Sequence, residues 1–408
     1  MTVAPYARAV GILWIVAVLA ICIHVAFSPH KQSSYAADYA PAGRHWLQGE
    51  EIYSRRHHFV YSPPVAALLV PFAVLPDAAG GVLWRLASAA LLFVVASAWL
   101  RCRASGIGAP PGFSSLTALL LLLPLAMGNL NLGQMNVLVL VLVTGGVLAV
   151  EQERWTLAAV LLAAPAFIKI YPLAIGLLLA LLYPRQLSWR LGLAVLGLLV
   201  ASLGLQRPGY VWTEYHQWFA VLGRDDRLDV DLYATWRDFG YLLRACNVPF
   251  SDRAYRCMEV GSGGVLAAFL WWGQQRGRWT REQLLGGVFC LGCAWMMLFG
   301  PATEAATYVV LALPVCGLVA AAWNRSSGVG SRIIFTAAYV LLLLADVINP
   351  WFHGWTHHLF VRALQPVAAL IFAGGVVWTL LRPSPADAML AHADDGGDEN
   401  SGGDRRVR

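Results

Sequence analysis

One lysine stands at a break between two apolar segments in the middle of this sequence. Lys169 lies in the stretch F-I-K-I-Y-P at 167–172, where Pro172 interrupts the helical pattern. A charge inside an apolar chain is costly and marks a functional hypothesis, and a proline break is tolerated at membrane depth where the chain lines a cavity. A lysine held at such a break suits a phosphate or diphosphate headgroup. The alternative is a lysine that extends to the outer membrane interface.

Two carboxylates are candidate general bases. Asp38 is the only acidic residue between the first apolar segment and Glu50, and Glu304 ends the segment G-P-A-T-E at 300–304. A carboxylate held at the outer surface of a membrane can take a proton from an acceptor hydroxyl. The alternatives are a helix cap or a solvated loop residue for Asp38, and compensation of the helix macrodipole for Glu304.

A basic cluster and a group of amides are candidate ligands for the rest of a substrate. Arg55, Arg56 and His58 precede the stretch F-V-Y-S-P-P at 59–64. Arginine donates paired hydrogen bonds to phosphate, although nonspecific attraction to lipid headgroups explains the cluster equally well. Amides suit sugar hydroxyls, although they also cap helices and cross-link bundles. The candidate substrate contacts are Asn129, Asn131, Gln134 and Asn136, with Tyr171 beside the lysine and Arg237 in a later polar connection.

Histidine and cysteine do not predict a metal or redox centre. Cys290 and Cys293 lie within an apolar helix and are interpreted as packing residues. Three histidines in one short connection have no carboxylate or cysteine close by, which favours interfacial histidines over a metal site: His353, His357 and His358. Two cysteines in a polar connection would form a disulfide only in an oxidising compartment: Cys246 and Cys257. The sequence thus predicts no metal and no cofactor.

The composition places these residues in a membrane. Of 408 residues, 58 % are hydrophobic and 13 % are charged, about half of the roughly 25 % typical of soluble domains. The mean hydropathy is +0.60. These values exclude an ordinary cytosolic enzyme, a disordered protein and a nucleic-acid-binding module. The partner that they predict is a lipid bilayer.

About 12 apolar segments are long enough, or nearly so, to span the bilayer. The first is interpreted as an uncleaved membrane helix, because it is longer than the apolar part of a signal peptide. The two segments around Lys169 are either one kinked helix or two short helices that meet inside the membrane. The segments lie at roughly 9–27, 80–100, 113–128, 134–150, 155–168, 170–183, 189–206, 259–275, 283–299, 305–322, 332–348 and 360–381.

Arginines give the predicted helices an orientation. When the connections alternate sides from an inner N-terminus, the short outer ones at about 128–133, 300–304 and 349–359 contain no Lys or Arg. This is the positive-inside pattern. The net charge of +6 is then largely an orientation signal rather than a nucleic-acid-binding surface.

The same alternation places the two long polar connections on the outer side of the membrane. Connections at about 28–79 and 207–258 fall outside, where a membrane enzyme would place its chemistry. Both termini are predicted to be cytoplasmic. The tail at 384–408 is acidic and Gly-rich, and is predicted to be disordered.

The order of several motifs resembles a known family of membrane enzymes. The sequence is similar to glycosyltransferase family 87, the polyprenyl-phosphate-dependent mannosyl- and arabinosyltransferase-like enzymes, over most of residues 9–323. The motifs are A-G-R-H-W-L-Q-G-E-E-I-Y at 42–53, F-V-Y-S-P-P at 59–64, the proline pair Pro71 and Pro76, N-L-G-Q-M-N at 131–136, F-I-K-I-Y-P at 167–172 and G-P-A-T-E at 300–304.

This resemblance implies a fold and a mechanism. The fold would be all-α and polytopic, a GT-C-type bundle of about 12 transmembrane helices in residues 1–383, with an outward-facing site in the plasma membrane. A mannose-like hexose or pentose would pass from polyprenyl phosphate to a lipid-linked or glycan acceptor by an inverting single displacement. Asp38, with Glu304 as the reserve, would act as the base. The cations implied at the donor phosphate are Lys169, Arg55, Arg56 and His58.

A transporter or lipid flippase is the rival interpretation. It would share the apolar helices, the proline break and the lysine. Transporters built from repeats carry matching broken helices in both halves, whereas the break at 169–172 has no counterpart in the second half. No nucleotide-binding fingerprint supports an ATP-driven pump. A structural scaffold would leave the isolated lysine unexplained, so the sequence favours an enzyme.

Overall fold

The computed structural model describes residues 3–28, 33–53, 59–104, 113–223, 230–232, 235–324, 328–348 and 360–382. All regular secondary structure in these residues is helical, which confirms the prediction of an all-α protein.

A π-helical turn, Tyr35–Tyr39, precedes the second α-helix, and a 3₁₀ turn, Ala305–Tyr308, precedes the fifteenth. The α-helices are α1 (Val3–Phe27), α2 (Ala40–Gln48), α3 (Pro63–Ala73), α4 (Asp77–Ala104), α5 (Phe113–Leu132), α6 (Asn136–Glu151), α7 (Trp155–Ala163), α8 (Pro165–Ile168), α9 (Leu173–Leu182), α10 (Trp189–Ala201), α11 (Pro208–Leu222), α12 (Phe239–Ala245), α13 (Asp252–Gln275), α14 (Arg281–Phe299), α15 (Val309–Asn324), α16 (Val329–Ile348) and α17 (Arg362–Leu381).

Eight helical segments in the described part of the chain are long and apolar enough to cross a membrane. They contain α1, α4, α5, α10, α14, α15, α16 and α17. The most apolar windows of α14 and α15 are 78 % and 72 % buried, so these two helices form the centre of the bundle. Four apolar helical segments are shorter: Pro63–Ala73, Asn136–Glu151, Trp155–Ile168 and Leu173–Leu182. A membrane bundle is thus supported, and the count of about 12 spans remains a prediction.

The two long polar connections differ from the predicted loops because they are largely helical. The first contains the turn Tyr35–Tyr39, α2 and α3, and the second contains α11, α12 and the start of α13. Proline explains where two of these helices begin, since Pro41 and Pro63 occupy first-turn positions that need no backbone donor. Gly49 ends α2 in the left-handed conformation, with φ of 71°. The connections therefore hold their polar residues on short rigid elements.

The segment around Lys169 is a hairpin of two short helical arms, which decides between the two sequence interpretations. The first arm is α7 with α8, and the second is α9. The rings of Trp155 and Tyr183, at the far ends of the arms, have centroids 5.4 Å apart. The segment 169–172 is therefore the hairpin tip, and Lys169 occupies it in an extended conformation.

The predicted inner arginines meet at one end of the bundle, here called the arginine end, where Glu153, Arg281, Leu381 and Arg332 lie. Arg281 forms an ion pair with Glu153, and Arg278 donates to the Leu381 carbonyl at 2.6 Å. Arginines at this end lie over aromatic rings: Arg190 over Trp189, Arg278 over Trp272, Arg281 over Trp155, Arg332 over Trp323 and Arg382 over Trp378. The hairpin tip and the start of α15 lie at the opposite end.

Candidate active site

The lysine at the hairpin tip contacts the 3₁₀ turn that precedes α15. Lys169 Nζ donates to Thr307 Oγ1 at 3.1 Å and lies 5.8 Å from the centroid of the Tyr171 ring. The Tyr171 hydroxyl is buried and interacts with the same Thr307 side chain. The break predicted from the sequence therefore brings an ammonium group and a phenol to one place, and Thr307, in the turn before α15, lies 138 residues beyond the lysine in the chain.

Glu304 and Thr307 close a reciprocal cap on the 3₁₀ turn. The Thr307 backbone N–H donates to the Glu304 carboxylate, and the Glu304 N–H donates to Thr307 Oγ1 at 3.2 Å. Thr307 Oγ1 thus accepts from both Glu304 and Lys169, so its own proton is left to be donated. Glu304 therefore caps the turn, a role that goes beyond the macrodipole compensation considered from the sequence. Its exposed side chain also lies within electrostatic range of Lys169.

Two tyrosine hydroxyls join the turn that carries Asp38 to the segment before α3. Tyr39 OH and Tyr61 OH are 3.0 Å apart, and the Met135 N–H donates to Tyr39 OH at 3.2 Å. Both phenols are buried, and burial raises the pKa of each, so both stay protonated at neutral pH. Tyr39 feels the charges of both Asp38 and Glu304. The charges of both predicted carboxylates therefore act on Tyr39 of this protonated pair.

Ser62 fixes this pair against the hairpin tip. Its N–H and its hydroxyl both donate to the Phe167 carbonyl, at 3.0 and 2.6 Å. The helix break at Lys169 leaves that carbonyl without a helical donor, and a buried carbonyl needs a partner. The start of α3 supplies it, and in doing so it holds Tyr61 beside the tip.

The predicted amide side chains differ in their hydrogen bonding within the protein. Gln134 Nε2 donates to Ser34 Oγ at 2.9 Å, which ties the turn after α5 to the segment carrying Asp38. Asn129 and Asn136 are buried, and the Oδ1 atom of each lacks a partner in the described part of the chain. A buried unsatisfied amide oxygen costs free energy unless water or a ligand reaches it. Contact of these two asparagines with a substrate remains a prediction. Their buried amide oxygens support it.

Arg85 of α4 is a buried cation that the sequence interpretation overlooked. Its side chain is 1 % exposed. Nε and Nη2 donate to the Asn131 carbonyl at 3.0 and 2.6 Å, Nη1 donates to Gly81 O at 2.9 Å, and Nη2 donates to Ser33 Oγ at 2.9 Å. Arg85 therefore joins α4 to the end of α5 and to the start of the segment carrying Asp38. An arginine within the apolar segment 80–100 was the available signal.

Arg237 braces the turn that carries Glu304. Its N–H donates to Thr303 O at 2.7 Å, its carbonyl accepts from Tyr308 OH at 2.8 Å, and its Nη1 donates to Gln365 Oε1 at 3.0 Å. Burial, and then the neighbouring Arg362 guanidinium, lower the pKa of Arg237 to about 10, so it remains charged at neutral pH. The predicted substrate contact by Arg237 remains a prediction beside this bracing role.

Some predicted residues lie elsewhere. Arg55, Arg56 and His58, and the three histidines at 353–358, lie outside the described residues. Cys246 and Cys257 are free thiols, so the structure has no disulfide between them. No group of three or more His, Cys, Asp or Glu side chains in the described residues could hold a metal ion. Asn131 takes part in the Arg85 contact through its backbone carbonyl, and substrate contact by its side chain remains a prediction.

Glu214 of α11 holds the segment that leads to Tyr61. Its side chain is 2 % exposed, and Oε2 accepts from the Ile52 N–H at 3.2 Å. Burial raises the pKa of Glu214 to about 7, against the lowering effect of the Ile52 bond. Because the folded pKa exceeds the unfolded one of about 4.5, the folded state loses stability as pH rises from about 4.5 to 7.

Glu214→Gln is therefore expected to stabilise the protein at pH 8 and to have little effect at pH 4.5. The expected gain at pH 8 is up to roughly 3 kcal/mol, because Gln keeps the Ile52 bond without a buried charge. Thermal unfolding midpoints of the detergent-purified chain across this pH range measure it. Glu51→Gln is the control at an exposed neighbour and should leave most of the pH dependence in place. An unchanged pH dependence in Glu214→Gln would contradict the assignment.

Comparison with known proteins agrees with these motifs. A family model described as glycosyltransferase family 87 matches residues 59–301, more than half of the chain. The matched region includes Tyr61, the hairpin tip with Lys169, and Arg237, whereas Glu304 lies just beyond its end and Asp38 lies before its start. A search of the curated proteins finds none that matches this chain.

Proposed function

The chain belongs to glycosyltransferase family 87, and we propose that it moves a sugar from polyprenyl phosphate to a lipid-linked or glycan acceptor. The family makes it a membrane glycosyltransferase. We propose a hexose or pentose, mannose-like, as the transferred sugar and a GT-C architecture for the bundle. The scheme requires no metal and no cofactor.

The observation that carries the donor assignment is the position of Lys169. It is a cation at the tip of an apolar hairpin, and a threonine hydroxyl with a spare proton lies 3.1 Å away. A lipid phosphate has the complementary charge, and a fixed cation at a leaving group stabilises the charge that develops there. Arg55, Arg56 and His58 are proposed as further donor-phosphate ligands on the sequence alone.

The proposed step is a single in-line displacement. A carboxylate takes the proton from the acceptor hydroxyl, whose oxygen forms a new bond to the anomeric carbon. The bond between that carbon and the phosphate oxygen breaks, and the prenyl phosphate leaves with the electron pair. Lys169 and the Thr307 hydroxyl stabilise the departing phosphate. Asp38 is the proposed base, with Glu304 as the reserve.

The orientation follows from the charges at the two ends of the bundle. We propose that the arginine end faces the cytoplasm, according to the positive-inside rule, and that the hairpin tip opens on the outer face. Both termini would then be cytoplasmic, and the membrane would be the plasma membrane. The acidic tail at 384–408 is proposed to be a disordered cytoplasmic extension of the domain at 1–383.

Transfer by the reconstituted full chain tests the function. Vesicles receive a prenyl-phosphate sugar with a radiolabel on the sugar, and parallel samples receive the same sugar on a nucleotide. We expect label in a new glycan bond only with the prenyl-phosphate donor. Movement of the intact donor across the vesicle, without a new glycosidic bond, would instead support the flippase interpretation.

A further inference from the structure

An open groove of about 480 Å³ runs along the surface of α16 at the arginine end. Trp323, at the end of α15, lines one side of it, and α16 lines the other side from Val329 to Val340. Because α15 begins at the Glu304 turn and ends at Asn324, this groove lies a full helix length from the candidate active site. It is therefore a feature that the transfer reaction does not explain.

One end of the groove is polar and is held in place by hydrogen bonds. The Arg332 guanidinium lies 5.6 Å from the centroid of the Trp323 ring, and its Nε donates to Ala322 O at 3.3 Å. Trp323 Nε1 in turn donates to Thr336 Oγ1 at 2.9 Å. The tryptophan is thus pinned across the two helices, and it fixes a cation at the mouth of the groove.

A second guanidinium lies close to the same turn of α16. Arg382 is 3.4 Å from the centroid of the Trp378 ring, and its Nη1 lies 3.7 Å from the position that a Cβ on Gly328 would take. Trp378 packs closely on Gly330, where a Cβ would meet the ring at 2.8 Å. The start of α16 is therefore flanked by two cations, each supported by a tryptophan.

The rest of the groove is largely apolar and lies within the depth of one leaflet. Val329, Ile333 and Val340 are 68 %, 63 % and 40 % exposed. From Arg332 to Val340 the helix rises by about 12 Å, which lies within half of the roughly 30 Å hydrocarbon core of a bilayer. An acyl chain from a single leaflet fits that length.

We infer that this groove is a binding site for an anionic phospholipid of the surrounding bilayer. The lipid phosphate lies at Arg332, with Arg382 adding to the local positive charge, and one acyl chain follows α16 to Val340. Basic pockets between membrane helices bind anionic headgroups in this way, and arginine pairs well with phosphate oxygens. A zwitterionic lipid has the same chains but less charge complementarity, so it binds more weakly.

Native mass spectrometry of the full chain in neutral detergent tests the site. The protein is titrated with phosphatidylglycerol and, separately, with phosphatidylcholine of the same acyl chains. We expect tighter first binding of phosphatidylglycerol, and we expect Arg332→Gln to weaken it by roughly fivefold. Ala337→Phe fills the groove without changing charge and should also lower the occupancy.

Arg190→Gln is the matched control, because Arg190 also lies over a tryptophan, Trp189, but does not line the groove. It should leave phosphatidylglycerol binding unchanged. Equal binding of the two lipids by the wild-type chain would overturn the inference. So would equal losses in Arg332→Gln and Arg190→Gln, or an unchanged affinity in Ala337→Phe. Sugar transfer is measured separately, so failure here does not affect the proposed function.

Discussion

Replacing Lys169 by methionine is expected to lower kcat for sugar transfer by about 10²–10³-fold. The lysine ammonium is fixed at the hairpin tip by Thr307 Oγ1, at 3.1 Å, so it needs no reorganisation when the lipid phosphate leaves. Methionine keeps the length and apolar packing of the side chain but removes the charge. Initial rates with a radiolabelled prenyl-phosphate sugar, measured as a function of donor concentration, separate kcat from KM.

Two further variants show whether charge at this position matters. Lys169→Arg keeps a cation at the tip and should recover part of the lost rate. Arg190→Met removes a half-buried cation at the arginine end, away from the hairpin tip, and should retain full activity. The folding of each variant is compared by its thermal midpoint in detergent. A well-folded Lys169→Met enzyme with the wild-type kcat would exclude Lys169 from leaving-group stabilisation.

The local parts of this site could be predicted from the sequence. Lys169 and Pro172 interrupt an apolar pattern, and their spacing predicts a break whatever surrounds it. Glu304 stands three residues before Thr307, and that spacing is typical of a reciprocal cap. Whether the break formed a kink or a hairpin depended on packing between its arms, which the sequence pattern does not contain.

The contacts between distant segments could not be predicted in the same way. Thr307 meets Lys169 across 138 residues, and Tyr39 meets Met135 across 96. Neither pair has a periodic or charge signal, because hydroxyls and backbone amides occur throughout the chain. Arg85 is different, because a cation inside an apolar segment was visible in the sequence and its partners are mostly backbone carbonyls. A rule that examines every charge within such segments would have found it.

Asp38→Asn is expected to lower kcat by about 10²–10⁴-fold, the range for loss of a general base. In an inverting displacement the acceptor attacks the face of the anomeric carbon opposite the leaving phosphate, so the base and the phosphate ligand lie on opposite sides of the sugar. Glu304 is linked to Lys169 through Thr307. Asp38 lies on the separate turn Tyr35–Tyr39, so we assign it to the acceptor side.

Glu304→Gln is expected to have a smaller effect, about tenfold, because Gln still caps the turn while the charge near Lys169 is lost. The two variants also differ in their pH dependence. Loss of the base removes the acid limb of the kcat profile, whereas loss of a group that only orients the phosphate ligand leaves that limb in place. Rates between pH 5 and 9 for both variants therefore distinguish the roles by shape as well as by size.

The comparison of the two carboxylates gives three informative results. A large loss with a flattened acid limb in Asp38→Asn alone assigns the base to the segment before α2. The same pattern in Glu304→Gln alone moves the base to the turn before α15, and the acceptor would then have to approach beside Thr307 rather than beside Asp38. Full activity in both variants would exclude both carboxylates, and the displacement would need a base from outside this cluster.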